Sequence, residues 1–131
     1  MTKFFSNYRI VFHFINFSLI FLYIFPGSLL GAIIYGNKKV QLQLTPDFII
    51  SSNHFYVFVL LSIIGFFTYT KKSQKNFLII YLVLVSIILE LLHLYIPERS
   101  FQWEDLFGNI LGVIVVILIR NLINKYGFFK K

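Results

Sequence analysis

The sequence predicts an all-α membrane protein, a four-helix transmembrane bundle with both termini on the cytoplasmic side, and three observations lead to this. Of the 131 residues, 58% are hydrophobic and 13% are charged, whereas about a quarter of a water-soluble domain is usually charged. Apolar segments close to the roughly 20 residues that a membrane-crossing helix needs alternate with polar ones. The basic residues concentrate in alternate connections, as positive-inside topology requires.

The composition also limits the chemistry that is available. A mass of 15.5 kDa leaves room for several spans but not for a soluble catalytic domain as well, so the chain is interpreted as a single membrane domain over 1–131. The absence of Cys excludes disulfides, cysteine metal sites and thiol nucleophiles. The net charge of +7 is interpreted as membrane topology, with no nucleic-acid partner expected.

Four apolar segments are the predicted spans. The first covers 10–35, with a kink or early end at Pro26, and the others cover 48–69, 77–96 and 106–123. The second and third have close to the required length, whereas the first and fourth are shorter or less clean. The outer loop 36–47 alternates apolar and polar residues, which favours an extended segment. An irregular cap over the helices is the simpler interpretation, and a lid is the less favoured one.

The orientation follows from the charged residues. Nine of the twelve Lys and Arg residues lie at the N-terminus, between the second and third segments, or near the C-terminus: Lys3, Arg9, Lys71, Lys72, Lys75, Arg120, Lys125, Lys130 and Lys131. Four of the five acidic residues lie in the opposite connections: Asp47, Glu98, Glu104 and Asp105. This distribution predicts cytoplasmic termini and an acidic outer face.

The fifth acidic residue, Glu90, lies within the third segment. An ionisable side chain at that depth costs roughly 2 to 3.5 kcal/mol on insertion scales, so it is expected to face the bundle interior and to have a partner. Ser86, Glu90, His93 and Pro97 recur at three- and four-residue steps and form one polar stripe. The third helix therefore has a polar face in its outer half.

The second and fourth segments carry similar stripes near their outer ends. His54 is on the second, and Asp105 and Asn109 are on the fourth. Gly108 and Gly112 give the small-xxx-small spacing that lets helix backbones approach closely. With Arg99 as a counter-charge in the outer turn, these residues predict an outward-facing polar cluster.

Two interpretations of the cluster stay open. For Asn109 alone, an interhelical hydrogen bond that only fixes the bundle is the favoured interpretation. For the five ionisable groups at one depth, a structural network and a functional site are about equally favoured; these groups are His54, Glu90, His93, Arg99 and Asp105. Glu90 and His93, with His54 and Asp105 nearby, resemble a carboxylate–histidine metal set, but this motif is short and common by chance. We therefore expect no metal and no cofactor. A serine hydrolase built on Ser100 lacks a nucleophile turn. His13 and Asn16, near the cytoplasmic end, are interpreted as a local packing contact.

The run from Glu90 to Gly112, ELLHLYIPERSFQWEDLFGNILG, resembles the signature of the VanZ-like family, small bacterial membrane proteins typified by one associated with teicoplanin-type glycopeptide resistance. The matching residues are Glu90, Leu91, Leu92, Ile96, Pro97, Arg99, Ser100, Asp105, Leu106, Asn109 and Gly112. The resemblance covers about 52–119 and includes the pair His54–Phe55. The family often has Asp where this chain has Ile50, Gln where it has His93 and Gly where it has Glu98.

The resemblance implies a multi-pass protein of the bacterial cytoplasmic membrane, acting at the outer leaflet on cell-wall precursors or on access of the drug to them. The first hypothesis is a non-transporting protein whose outer pocket binds or shields a lipid-linked precursor or a lipoglycopeptide. Arg99 would then meet a phosphate or carboxylate, Glu90 and His93 would hydrogen-bond it, and Asp105 and Asn109 would orient Arg99.

Two other classes of function remain. The chain would otherwise be an accessory subunit whose Phe-rich, lipid-facing surfaces dock a membrane protein partner. The third hypothesis is an enzyme acting on a lipid-linked precursor, with Glu90 and His93 as catalytic groups, although the sequence leans against enzymatic activity. A transporter is the least favoured class, because four short spans show no inverted repeat.

Overall fold

The structure, a computed structural model, describes residues 2–127 and the side chains from Tyr8 onward. Within that range the chain forms five helices and no strand. They are α1 (Thr2–Ile24), α2 (Leu29–Tyr35), α3 (Ser52–Thr68), α4 (Lys72–Leu92) and α5 (Trp103–Tyr126). The all-helical prediction is confirmed for the described part of the chain.

Two helices, α4 and α5, are long and apolar enough to cross a membrane, and a third span is obtained if α1 and α2 are counted together. The two members of that pair meet at 84°. The apolar helix α3 has 17 residues, or about 25 Å at the helical rise, which is short for a span. Two to three candidate spans among the described residues are consistent with a membrane protein.

Several predicted boundaries were wrong. The second segment was expected to begin at Phe48, but α3 begins at Ser52, because the Asp47 carboxylate accepts hydrogen bonds from the Ser52 backbone N–H, at 2.8 Å, and from its hydroxyl. The third segment was expected to continue to Ile96, but α4 ends at Leu92, after which the His93 and Leu94 backbone N–H groups bond three residues back rather than four. Pro97 has no N–H with which to continue the helix. The fourth is longer than predicted and begins at Trp103.

The break in the first segment occurs where it was predicted. Helix α1 ends at Ile24, and Gly27 takes a left-handed conformation with φ of 73°, which glycine adopts without steric cost. The Ser28 hydroxyl then caps α2 by accepting from the Gly31 backbone N–H at 2.9 Å. The following loop is irregular and is tied to α3 by Asn53, which donates to the Leu42 carbonyl; this agrees with an irregular cap.

Helix α3 packs closely along α5, and α1 packs against α3. The α3–α5 contact depends on two glycines. A methyl group at Gly108 would lie 2.7 Å from the Ser51 carbonyl oxygen, and one at Gly112 would lie 2.6 Å from the Phe55 carbonyl oxygen. The helix backbones therefore approach more closely than any larger residue permits.

The bundle has two chemically different ends. At the cluster end, α1 and α4 finish and α3 and α5 begin; at the basic end lie the α3–α4 connection and the last turns of α5. The described basic residues at the second end are Arg9, Lys71, Lys72, Lys75, Arg120 and Lys125, while Lys3, Lys130 and Lys131 lie outside the described side chains. The surface between the ends is apolar, with Phe14 and Phe77 72% and 73% exposed.

Candidate functional site

Side chains from four helices meet at the cluster end, and we call this group the polar cluster. The structure brings together five of the residues singled out in the sequence: His54, Glu90, His93, Asp105 and Asn109. Helix α1 adds Tyr23, which the sequence reasoning missed. Glu90 and Asn109 are fully buried, and Tyr23, His93 and Asp105 are nearly so. Most side chains of the cluster are therefore packed against one another and shielded from solvent.

Asn109 lies at the centre of this network. Its Oδ1 accepts from the Tyr23 hydroxyl at 2.6 Å and lies 3.1 Å from His54 Nδ1. Its Nδ2 donates to the backbone carbonyl of Ser86 at 3.1 Å. The bond to Ser86 fixes which side of the amide is the oxygen. Through these contacts the side chain of Asn109, on α5, joins α1, α3 and α4.

The same bonds fix the tautomer of a neutral His54. The Tyr23 hydroxyl donates its proton to Asn109, so its oxygen, 2.9 Å from His54 Nδ1, is left to accept. His54 Nδ1 therefore carries hydrogen. The other ring nitrogen, Nε2, presents its lone pair at the edge of the cluster, 3.6 Å from Asp105 Oδ2.

Glu90 has two carboxylate oxygens in different situations. Oε1 accepts from the backbone N–H of Gln102 at 3.0 Å. Oε2 is fully buried and has no hydrogen-bond donor among the described residues. It lies 3.2 Å from His93 Nδ1 without hydrogen-bond alignment and 4.0 Å from His54 Nδ1.

His93 turns its other edge to the backbone. Its Nε2 lies 3.0 Å from the carbonyl oxygen of Tyr23 and donates to it, because a carbonyl can only accept. The imidazole stacks on the Tyr23 ring, with centroids 5.5 Å apart. A neutral His93 therefore has no hydrogen on the Nδ1 that faces Glu90, so this imidazole supplies no donor to Oε2.

Arg99 was expected to be a counter-charge for the acidic groups, and its observed hydrogen bonds go elsewhere. Its Nε donates to the Phe25 carbonyl at 3.1 Å and its Nη2 to the Leu22 carbonyl at 2.8 Å. These carbonyls end α1, where the helix dipole is negative. Burial lowers the pKa of Arg99, although a guanidinium remains charged. Arg99 thus fastens α1 to the α4–α5 turn.

A cavity of about 450 Å³ lies at the opposite, basic end, between α1 and α4. Its wall includes His13 and Asn16, which the sequence assigned to local packing. His13 Nε2 is 3.4 Å from the Tyr69 hydroxyl, and Asn16 accepts from the Tyr81 hydroxyl at 2.7 Å. Neither residue reaches the polar cluster.

One sequence signal could have revealed Tyr23. Phe12, Leu19 and Tyr23 recur at seven- and four-residue steps and are all buried, which is the spacing of one helix face. Asn16 lies on that face one turn before Leu19. The Tyr23 hydroxyl, on this face and near the cluster end of α1, could therefore have indicated a contribution to the cluster.

Comparison with protein-family models, curated proteins and solved structures finds no match to this chain. The resemblance in the run from Glu90 to Gly112 therefore stands on its own residues. One structural feature bears on that run. Glu98 has φ of 61° and is the one described non-glycine residue with positive φ.

Proposed function

We propose that this chain is a VanZ-like protein of the bacterial cytoplasmic membrane, with α1, α3, α4 and α5 as four spans and both termini inside. The separation of charge supports this orientation, because six of the nine basic residues whose side chains are described lie at the basic end, whereas the acidic residues lie at the cluster end. The apolar residues Phe48 and Ile49, 92% and 72% exposed, precede α3 and extend its apolar length. The cluster end would then face the outer leaflet.

The backbone at Glu98 supports the VanZ-like kinship. A left-handed conformation favours glycine, and glycine is what the family often has at this place in the turn. The turn therefore keeps a geometry suited to the family residue although the residue itself differs. This support comes from backbone conformation and is independent of the matched side chains.

We further propose that the cluster end binds or shields an amphiphile, either a lipid-linked cell-wall precursor or a lipoglycopeptide. The observation that carries this is the convergence of His54, Glu90, His93 and Asp105 at one end, because four ionisable groups exceed what helix packing requires. Buried ionisable groups in a membrane protein are functional-site candidates by default.

Arg99 is the group best placed to meet the anionic part of such a ligand. Its two bonds to α1 use two of the five N–H groups of a guanidinium, and its planar fork suits phosphate and carboxylate. On α2, at the same end, Leu30, Ile33 and Ile34 are exposed and offer an apolar surface to a lipid tail. His54 and Asp105 border the site from α3 and α5.

The test is cell-surface binding of a fluorescent teicoplanin-type lipoglycopeptide, together with growth inhibition by it, at matched membrane abundance. Cells with the wild-type protein should be protected, and Arg99→Ala should remove the protection. Arg99→Lys keeps the charge and loses the fork, so it should give partial protection. Arg120→Ala removes a basic residue that packs over Phe66 at the other end and should protect like wild type.

Two results would overturn the proposal. One is full protection by an Arg99→Ala protein that reaches the membrane at wild-type abundance. The other is wild-type protein that alters neither binding nor growth and that also fails to bind a lipid-linked precursor in detergent. Co-purification with a larger membrane complex would then favour the accessory-subunit alternative.

A further inference from the structure

Three side chains of the polar cluster offer donor atoms at the spacing of a metal site. One ring nitrogen of His54 and one carboxylate oxygen from each of Glu90 and Asp105 lie within 4.8 Å of one another. His54 Nε2 and Asp105 Oδ2 are 3.6 Å apart. Ligands bound to tetrahedral Zn²⁺ at about 2.0 to 2.2 Å are roughly 3.3 to 3.6 Å from each other. The His54–Asp105 pair already has this spacing, and Glu90, whose Oε2 is 4.0 Å from the His54 ring at Nδ1, would have to move closer by side-chain rotation to complete the set around one ion.

The unpartnered oxygen of Glu90 is a separate observation that points to a cation. Glu90 Oε2 is fully buried and accepts no hydrogen bond from the described residues, and a buried acceptor left in this state costs about 1 to 3 kcal/mol. The nearest nitrogen, His93 Nδ1, carries no hydrogen when the ring is neutral, because Nε2 donates to the Tyr23 carbonyl. A bound metal ion would satisfy this oxygen.

The orientation of His54 is that of a metal ligand held by an outer partner. Its Nδ1–H faces Asn109 Oδ1 at 3.1 Å, and Asn109 is itself fixed by the Ser86 carbonyl. Metal-binding histidines almost always donate their second ring N–H in this way. The Nε2 lone pair then lies 3.6 Å from Asp105 Oδ2, and a cation bound between these two atoms would satisfy both.

The charge and the donor types select the class of ion. Two carboxylates and one neutral imidazole balance a dication, and Arg99 is engaged with the carbonyls of α1. Mg²⁺ and Ca²⁺ prefer sites made only of oxygen, whereas imidazole favours first-row transition metals. We propose that His54, Glu90 and Asp105 bind one divalent transition-metal ion of the Zn²⁺ type. This reverses the expectation from the short motif.

The experiment is equilibrium binding of Zn²⁺ to the full chain, purified in detergent and stripped of metal with a chelator. Wild type should bind one equivalent, and Mg²⁺ should not compete. Asp105→Asn and His54→Gln should each weaken Zn²⁺ binding by more than about 100-fold, since losing an outer-shell partner alone typically costs about 10- to 100-fold. Glu104→Gln and His13→Gln remove a neighbouring carboxylate and a distant imidazole, and both should bind like wild type.

A second measurement needs no variant. X-ray absorption at the zinc edge of the loaded wild-type protein should report only nitrogen and oxygen ligands, with one imidazole among them. Wild type that binds no Zn²⁺, a spectrum with two or more imidazoles, or binding unchanged in both Asp105→Asn and His54→Gln would overturn the proposal. The inference does not depend on the amphiphile, because metal binding is measured without any lipid-linked ligand or drug.

Discussion

The two ends of the bundle contain the same kinds of polar side chain in different settings. At the cluster end, Tyr23 donates to Asn109 in a fully packed network that includes two carboxylates. At the basic end, Tyr81 donates to Asn16 beside a cavity of about 450 Å³. The hydrogen bonds are nearly equal in length, at 2.6 and 2.7 Å, so the bond itself does not distinguish the two ends.

The difference lies in what surrounds each bond. Asn109 also contacts His54 and Ser86, so its removal would leave several buried groups without partners. Asn16 lines the cavity, and its one described hydrogen bond is with Tyr81. The comparison indicates that a Tyr–Asn hydrogen bond is a packing contact where no further side chain contacts the amide, and part of a candidate site where an ionisable side chain contacts it.

The largest expected difference between the two ends is their accessibility to the outside of the cell. The chain has no Cys, so single substitutions give clean probes. Ser100→Cys, in the turn at the cluster end, should react with a membrane-impermeant maleimide on intact cells. Thr70→Cys, in the α3–α4 connection, should react only after permeabilisation. The reverse pattern would place the basic end outside, and the wild type serves as the unlabelled control.

The next largest effect is expected from two glycines that face different neighbours. A methyl group at Gly108 meets the backbone oxygen of Ser51 at 2.7 Å, which must shift, so Gly108→Ala should lower the free energy of unfolding by about 3 kcal/mol. At Gly65 the neighbours are the tips of Leu78 and Phe12, at 3.0 and 3.1 Å. Both line the cavity and can move, and alanine is the better helix former.

Gly65→Ala should therefore change the free energy of unfolding by less than about 1 kcal/mol. Both values are measured by titration with sodium dodecyl sulfate in mixed micelles, with helical circular dichroism as the signal. Trp103 is the one tryptophan in the chain and lies at the cluster end, so its fluorescence reports that region separately. Equal losses for the two variants would show that the ends are packed alike.

A smaller effect is expected from the paired asparagines. Asn109→Ala leaves the buried Tyr23 hydroxyl without its acceptor and removes one of the two oxygens that His54 Nδ1–H faces, and it should cost about 2 kcal/mol of unfolding free energy. Asn16→Ala removes one bond beside a cavity and should cost about 0.6 kcal/mol, the average for hydrogen bonds between membrane helices. The same titration checks both. A cost for Asn16→Ala that matches that of Asn109→Ala would remove the distinction between the two ends.

Much of this arrangement could be predicted from the sequence because it depends on local signals. Pro26 and Gly27 break the first segment, and three- and four-residue spacing puts Glu90 on the inner face of α4. The charge distribution predicted which connections share an end. These features depend on composition and periodicity, which each segment of the sequence shows without reference to the segments it packs against.

The rest depends on contacts between segments. The start of α3 is set by the carboxylate of Asp47, and Arg99 is drawn to the carbonyls of α1 rather than to an acidic side chain. The pattern within α1 indicates that Tyr23 lies on a buried face, but its contacts with His54 and Asn109 arise only when α1 packs against α3 and α5. Likewise, the donor spacing of His54 and Asp105 arises from the glycine-mediated approach of α3 to α5.

The smallest expected effect concerns the α4–α5 turn at the cluster end. At the cluster end, Glu98 has φ of 61°, and a left-handed conformation costs a non-glycine residue about 1 to 2 kcal/mol. Glycine removes that cost but makes the unfolded chain more flexible, which costs about 0.4 to 1 kcal/mol. Glu98→Gly should therefore raise the free energy of unfolding by about 0.5 kcal/mol.

Ser100→Gly is the matched control in the same turn, because Ser100 does not have positive φ. It gains no relief from strain and should lower the free energy of unfolding by about 0.4 to 1 kcal/mol. Opposite signs for two glycine substitutions only two residues apart would locate the strain at Glu98. A loss of stability in both variants would mean that the turn tolerates Glu98 without strain, and the backbone argument for the VanZ-like kinship would then lose its support.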